Sequence, residues 1–333
     1  MFLKPHTRLI VMGTPDFILP TLYRLVKETT ENGEPLFDLV AVYTRAPKPA
    51  GHGLELSYSP VHKAALELQK TYSIPFEIVT PETFKNPDNV AKFQSFKPDL
   101  VVVGAYGLIL PQAVLDAPSL GCINLHASLL PYGRGAAPIQ RAILDGKKET
   151  GLTIMKMDAG CDTGMILKQQ AIEITPSTTA GTLSEQLANL GPDLLIETLH
   201  ENPAGIKQDD AQATYAKKVA KSEAQIDWNN SAEQISCQIR AFSPTPGAFT
   251  CFKDKKGKLL RLKIYNALVC KMESAQKPGT IIEASNKLVV ACANDALELT
   301  DVQSEGKKRT SGKEFCNGHL LTNGDTFLTI DEK

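Results

Sequence analysis

Residues 121–138 read GCINLHASLLPYGRGAAP. The stretch opens on an apolar, strand-like run from Cys122 to Leu125 and ends that run in His126. Upstream lie other runs of the same kind: Arg8–Met12, closed by Gly13, then Leu39–Thr44, Phe76–Val79 and LVVVG at 100–104. Helical segments alternate with them. Pro20 sits in the first turn of one that runs to about Thr30, and Pro60 opens another, VHKAALELQKTY. Apolar strands of this near-continuous type, separated by helices, predict a mainly parallel α/β sheet covered on both faces. Leu152–Met157 and Met165–Ile174 read as two further strands paired across the turn DAGCDTG, and a helix from about Thr182 to His200 follows.

The pattern then changes. ENPAGIKQDD at 201–210 is polar and predicts a linker between a first domain, 1–200, and a second, 211–333. Ser231–Phe242 reads as a capped helix. Beyond Pro246 come short alternating strands, GAFTCFK, LLRLKIYNALV, GTIIEA, KLVVACA and ALELTDV, spaced as in a small barrel or sandwich. A chain of 333 residues is long enough for two such units. The apolar share of 42% and net charge of −1 are those of an ordinary α/β protein, and neither a membrane span nor a targeting peptide is expected. Seven scattered cysteines without framework spacing predict reduced thiols and a cytoplasmic location. Charge is uneven: 18 basic and 21 acidic residues in 1–207 against 18 and 16 in 208–333. Cys251–Lys271 alone holds seven basic residues and one acid, which reads either as the solvated face of a hairpin or as a surface for an anionic partner.

Side chains two apart on a strand share a face, so Asn124 and His126 point the same way at the carboxyl end of a central strand. In open α/β sheets ligands bind at that end. Asn offers an amide donor; His offers a base, an acid or a charge near neutral pH. The loop that follows combines Pro131, which fixes φ, with Gly133 and Gly135, which permit positive φ, and it carries Arg134. Asp158 and Asp162 lie in the DAGCDTG turn. Other motifs are missing. GTPDF at 13–17 lacks the later glycines of a dinucleotide loop; there is no Walker A sequence and no G-x-S-x-G elbow, and the six histidines show no metal spacing.

NLHASLLPYGRGAAPIQR followed by DAGCDTG resembles the signature of the folate-dependent formyltransferases. MGTPDF, AYGLILP, GAAPIQRAI, ETGLTIMKMDAG, ATYAKKVAKSEAQIDW and IRAFSPTPGA extend the resemblance along the whole chain, to the branch of that family that acts on charged initiator tRNA. The resemblance implies a Rossmann-like domain followed by an OB-like barrel. It implies Asn124, His126 and Asp162 as the catalytic residues. It implies that Tyr106, Gly107 and Ser128-Leu129-Leu130-Pro131 contact 10-formyltetrahydrofolate, with no metal needed. Methionyl initiator tRNA is the implied partner, with no obligate protein partner. Its implied contacts are Phe17, Arg45, Lys48 and Arg134 in the first domain, and Lys253, Lys255, Lys256 and Lys258 in the second. Family members carry an arginine-rich loop after the second strand that enters the acceptor arm. Here that loop reads KPAGHGLE at 48–55, with Lys48 in place of an arginine and Glu55 in place of a cation. Its prolines and glycines and its lack of an apolar stripe predict a mobile segment over Arg45–Ser59.

The implied reaction moves a formyl group from N10 of the folate to the α-amino group of methionine on the tRNA. Asn124 and His126 would stabilise the developing oxyanion, His126 would carry protons, and Asp162 would favour the imidazolium or order a water. A formyltransferase for a small amine, a formyltetrahydrofolate hydrolase and a tRNA-binding module with a degenerate enzyme domain remain as alternatives.

Overall fold

A computed structural model describes residues 3–50, 55–272 and 276–330. Two compact units divide the chain: 1–135, 150–173 and 184–216 in the first, and 136–149, 174–183 and 217–333 in the second. Residues 201–210 belong to the first unit, where Ile206 forms a two-way backbone bridge with Ile166.

The first unit is built on a seven-stranded sheet. Its strands are β1 (Thr7–Gly13), β2 (Phe37–Tyr43), β5 (Glu77–Val79), β6 (Leu100–Gly104), β7 (Gly121–His126), β8 (Glu149–Lys156) and β9 (Met165–Glu173), in the order β5-β2-β1-β6-β7-β8-β9. The first five are parallel, and β8 runs antiparallel to β7. Helices α1 (Leu19–Lys27), α2 (Pro60–Tyr72) and α3 (Pro87–Ser95) connect the parallel strands, each with Pro in its first turn, where a missing N–H costs nothing. Ser59 and Asn86 cap α2 and α3 through their side chains.

The strand order reverses between β1 and β6, the usual crevice for a dinucleotide. Here Ile18 fills it. A Cβ on Gly13 or Gly104 would lie 2.5 Å from the Ile18 side chain, so these glycines admit an isoleucine rather than a pyrophosphate. Thr14 Oγ1 closes the rim by donating to Tyr106 O at 3.0 Å. The usable carboxyl edge is thereby moved one strand along, to β7.

The segment expected to be a mobile loop contains a short hairpin, β3 (Lys48–Ala50) with β4 (Glu55–Ser57). Gly51, His52, Gly53 and Leu54 lie outside the described residues. Short helices α4 (Gln112–Leu115) and α5 (Pro138–Leu144) and the long α6 (Ala180–Glu201) complete the helices before residue 210.

The second unit holds α7 (Ala232–Phe242), started by a Ser231–Gln234 capping box, and five antiparallel strands. These are β10 (Ala248–Lys253), β11 (Leu259–Cys270), β12 (Ile281–Glu283), β13 (Val289–Ala291) and β14 (Ala296–Ser304), ordered β10-β11-β14-β13-β12. The chain end closes the sheet. Leu328 exchanges two backbone hydrogen bonds with Cys251 on β10, and Phe327 N donates to Gly279 O beside β12. The edge strands are therefore paired, as in a barrel. Trp228 stacks on Phe327 inside and donates Nε1–H to Thr250. Helix α8 (Gly312–His319), capped by Ser311 and Glu314, packs on β14. No helix among the described residues is long and apolar enough to cross a membrane.

Candidate functional site

The site grows from the end of β7. In register, Asn124 faces Val103 on β6 and Met155 on β8, and His126 faces Thr153. Both side chains are nearly buried, Asn124 at 8% and His126 at 6% exposure. The Asn124 amide has no side-chain hydrogen bond to any described residue, so its N–H groups are free to donate to something that arrives.

His126 is held at one nitrogen and faces a carboxylate with the other. Nε2 lies 2.9 Å from Gly133 O, and Nδ1 lies 3.6 Å from Asp162 Oδ1. A carbonyl only accepts, so Nε2 carries a proton, and in the neutral ring the lone pair is on Nδ1. The nitrogen that accepts or returns a proton is thus the one beside the carboxylate.

Asp162 is positioned from two sides. Its Oδ2 accepts from Gly135 N at 2.8 Å, and its own carbonyl accepts from Gln208 Nε2 at 2.8 Å. Its backbone sits at φ +55°, a left-handed conformation that costs a non-glycine residue about 1–2 kcal/mol. Asp158 has the ordinary role in the same turn: its Oδ1 accepts from Gly160 N and Thr163 Oγ1. Cys161 is exposed beside the site, and its thiol is pushed up by burial and by the neighbouring Asp162 carboxylate, so the thiol form is favoured.

The loop after β7 is fixed by its neighbours. Thr153 Oγ1 donates to Ser128 O and accepts from Leu130 N, while Gln169 Nε2 donates to Leu130 O and to Thr153 Oγ1. Ser128 donates its hydroxyl to Tyr132 O. The Ser128 and Leu130 side chains are buried and committed, and Leu129 packs towards Gly151. What this stretch can still offer a ligand is the second lone pair of carbonyls that already accept from Thr153, Tyr132 and Gln169. The same correction applies to Tyr106. Its ring belongs to the aromatic core with Tyr43, Phe84 and Phe93, so its side chain is not a surface contact. Burial pushes its hydroxyl up, and the hydroxyl has no partner among the described residues. Gly107, at φ +82° with nothing within 4 Å of a would-be Cβ, and Ile109, 88% exposed, form the open part of that loop.

The four residues expected as tRNA contacts in the first domain part company. Phe17 is buried. Arg45 donates to Gly107 O at 3.3 Å, against the loop after β6. Lys48 is exposed on β3. Arg134 is only 2% exposed, and its guanidinium is spent on Gln208 and Asp210 at 3.0 and 2.7 Å. An arginine so enclosed supports protein structure rather than a phosphate. Burial opposes its charge, and the hydrogen bonds it donates to Asp210 and Tyr215 more than offset that, raising its pKa.

On the barrel, Lys253, Lys255, Lys256 and Lys258 are all exposed. The one acid among them, Asp254, accepts from Lys256 N and Lys258 N and so shapes the turn. Sequence reading missed a second basic turn, Lys307-Lys308-Arg309. β11 and β14 pair Leu262 with Ser304, and Glu305 N donates to Arg261 O, which brings this turn to the hairpin's end of the barrel. It also missed Thr153, Gln169 and Gln208, whose partners are distant in sequence. No cluster of three or more metal-ligating side chains occurs among the described residues.

The family model described as formyl transferase matches residues 7–199, and that described as formyl transferase, C-terminal domain, matches residues 218–320. Methionyl-tRNA formyltransferase of Nitrosomonas eutropha is 42% identical over 325 residues, covering 96% of this chain and 97% of that protein. The same enzyme from a Bradyrhizobium species is 43% identical over 325 residues, with 96% and 99% covered. Among solved structures, the N-formyltransferase of Helicobacter canadensis, in complex with folinic acid and dTDP-3-aminofucose, aligns with a TM-score of 0.59 at 17% identity, covering 88% of this chain and 98% of that one. At that identity the likeness speaks for the fold.

Proposed function

This chain belongs to the formyl transferase family, on the branch of the methionyl-tRNA formyltransferases, and on that premise we propose that it transfers the formyl group of 10-formyltetrahydrofolate to the α-amino group of methionine carried by initiator tRNA. One observation supports the chemistry above all. An unpartnered amide, Asn124, and an imidazole with its basic nitrogen turned to a carboxylate meet at one strand end.

The residues present fit such a donor. A flat heterocycle with polar edges needs backbone donors and acceptors beside apolar walls. The loop Gly107–Leu110 supplies an apolar wall in Ile109, uncovered beside the open Gly107 turn, and the stretch Ser128–Pro131 supplies carbonyl acceptors. When bound, the donor supplies the activated formyl carbon. Asn124 then donates its amide to the formyl oxygen as negative charge develops there, a contribution of about 10²–10³ in rate for one such donor. His126 Nδ1 takes the proton that the attacking amine must lose and returns one to the leaving nitrogen. Asp162 orients that exchange, holding either the Nδ1 proton or a bridging water. The proposed site of the reaction is the cytoplasm, a reading supported by seven scattered cysteines without disulfide-framework spacing.

Purified protein supplied with labelled formylfolate should label charged initiator tRNA, and not glycinamide ribonucleotide or a nucleotide-linked aminosugar. Release of free formate without an acceptor would identify a hydrolase instead; labelling of a small amine alone would overturn the tRNA assignment.

The barrel's basic end is the proposed seat of the tRNA body. Ala at Lys253, Lys255, Lys256 and Lys258 should weaken tRNA binding while leaving donor binding intact. Each lost phosphate contact flattens the log–log salt slope by about 0.7–0.9. Parallel salt lines for wild type and variant would return the hairpin to a merely solvated face.

A further inference from the structure

Residues 208–216 form a strap across the loop that serves His126. Gly133 N donates to Thr214 Oγ1 at 2.8 Å, Arg134 N donates to Thr214 O at 2.9 Å, and Ala216 N donates back to Arg134 O at 2.7 Å. The carbonyl that holds His126 Nε2 belongs to Gly133, inside this ladder. The strap also reaches the other ring nitrogen. Gln208 is 5% exposed, and its Nε2 donates to both Asp162 O and Gly164 O, at 2.8 and 2.7 Å. Its Oε1 accepts from Arg134 Nε at 3.0 Å. Each group of this amide has a partner of one type only: a guanidinium can only donate and a carbonyl can only accept, so the amide has one orientation. Arg134 is anchored in turn by Asp210, again on the strap.

We infer that Gln208 is a positioning residue: locked by the buried Arg134, it holds the Asp162 turn in its left-handed backbone conformation and so sets the Asp162 carboxylate opposite His126 Nδ1. The inference rests on the proposed roles of His126 and Asp162. A ring held at one nitrogen by the strapped loop and faced at the other by a strapped carboxylate cannot drift relative to either. A misplacement of about 1 Å at such a site costs on the order of 10²-fold in rate.

Two substitutions test it. Gln208→Ala removes both donors. Gln208→Glu keeps the Arg134 contact but turns a carboxylate oxygen on the two carbonyls, so it should not rescue. Both should lower kcat for transfer to charged initiator tRNA by about 10–100-fold, with KM for either substrate changed less than about twofold. Combined with Asp162→Asn, Gln208→Ala should cost less than about twofold more, because it acts through the carboxylate. Full additivity, or unchanged kcat with only a lower melting midpoint, would overturn the inference and leave Gln208 a folding residue. A readout independent of turnover is the nitrogen NMR spectrum of His126 in the full chain, read at one pH. Gln208→Ala should move the Nδ1 chemical shift towards that of Asp162→Asn; an unmoved Nδ1 signal would also overturn it. If wild type transfers nothing to tRNA, the functional reading fails, and this spectrum still decides the role of the strap.

Discussion

His126→Ala lowers formyl transfer by about 10²–10⁴-fold, the range for a lost general acid–base group, and leaves the far-UV circular dichroism of the protein unchanged. Asn124→Ala lowers it by about 10²–10³-fold, as for one lost oxyanion donor. Folding should survive both. The Asn124 amide makes no side-chain hydrogen bond to a described residue, so none of these is orphaned when it goes. Loss of the imidazole frees Gly133 O, which keeps a long contact from Ser128 Oγ at 3.5 Å, and Asp162 Oδ1, whose carboxylate stays anchored through Oδ2 to Gly135 N. The double variant should fall little below the worse single one, because an oxyanion donor has less to stabilise once proton transfer limits the rate. Donor binding, measured without tRNA, should change far less than turnover. Near wild-type turnover of purified, folded His126→Ala would reject the assignment of proton transfer to this ring.

Much of this site is legible in the chain itself. β7 declares its end through an apolar run broken by Asn124 and His126 at a spacing of two, and the loop after it declares its bends through Pro131, Gly133 and Gly135. Helix starts at Pro20 and Pro60 are read directly, because proline in a first turn is a local signal. Helix α3 passes unread. Its one fully buried apolar side chain, Phe93, gives no stripe, although Asn86-Pro87 marks its start. Helix α8 carries a readable Ser311–Glu314 box that points to it. What no local pattern carries is the support of Asp162. Gln208 stands 46 positions away, within a polar stretch whose composition reads as linker, and the pairing of Ile206 with Ile166 on the edge strand β9 brings them together. Arg134 illustrates the opposite error. A loop arginine next to a candidate site invites a phosphate, yet Gln208 and Asp210 already enclose it.

The turn that carries Asp162 also depends on a residue with no side chain. A Cβ on Gly164 would lie 1.9 Å from Lys156 O and 2.9 Å from its carbonyl carbon. The obstacle is backbone at the end of β8, so no rotamer change relieves it. Gly164 lies outside the positive-φ residues, so the cost of an alanine here is steric rather than conformational. The β8–β9 ends must part by roughly 1 Å, and overpacking of this kind costs about 1–3 kcal/mol. The displacement is not confined to the turn's stability. Gly164 O and Asp162 O share the Gln208 amide, so moving one acceptor moves the carboxylate that faces His126. Gly164→Ala should therefore lower the urea midpoint and cut transfer by about 10²-fold, more than the stability loss alone accounts for in the fraction of molecules still folded. Gly318→Ala is the matched control. It sits in α8 with nothing within 4 Å of its would-be Cβ, so alanine there should stabilise by about 0.5–1 kcal/mol through helix propensity and leave turnover alone. If Gly164→Ala kept both midpoint and turnover, the close approach of Lys156 to this turn would be wrong, and with it the path by which the strand pair holds Asp162 in place.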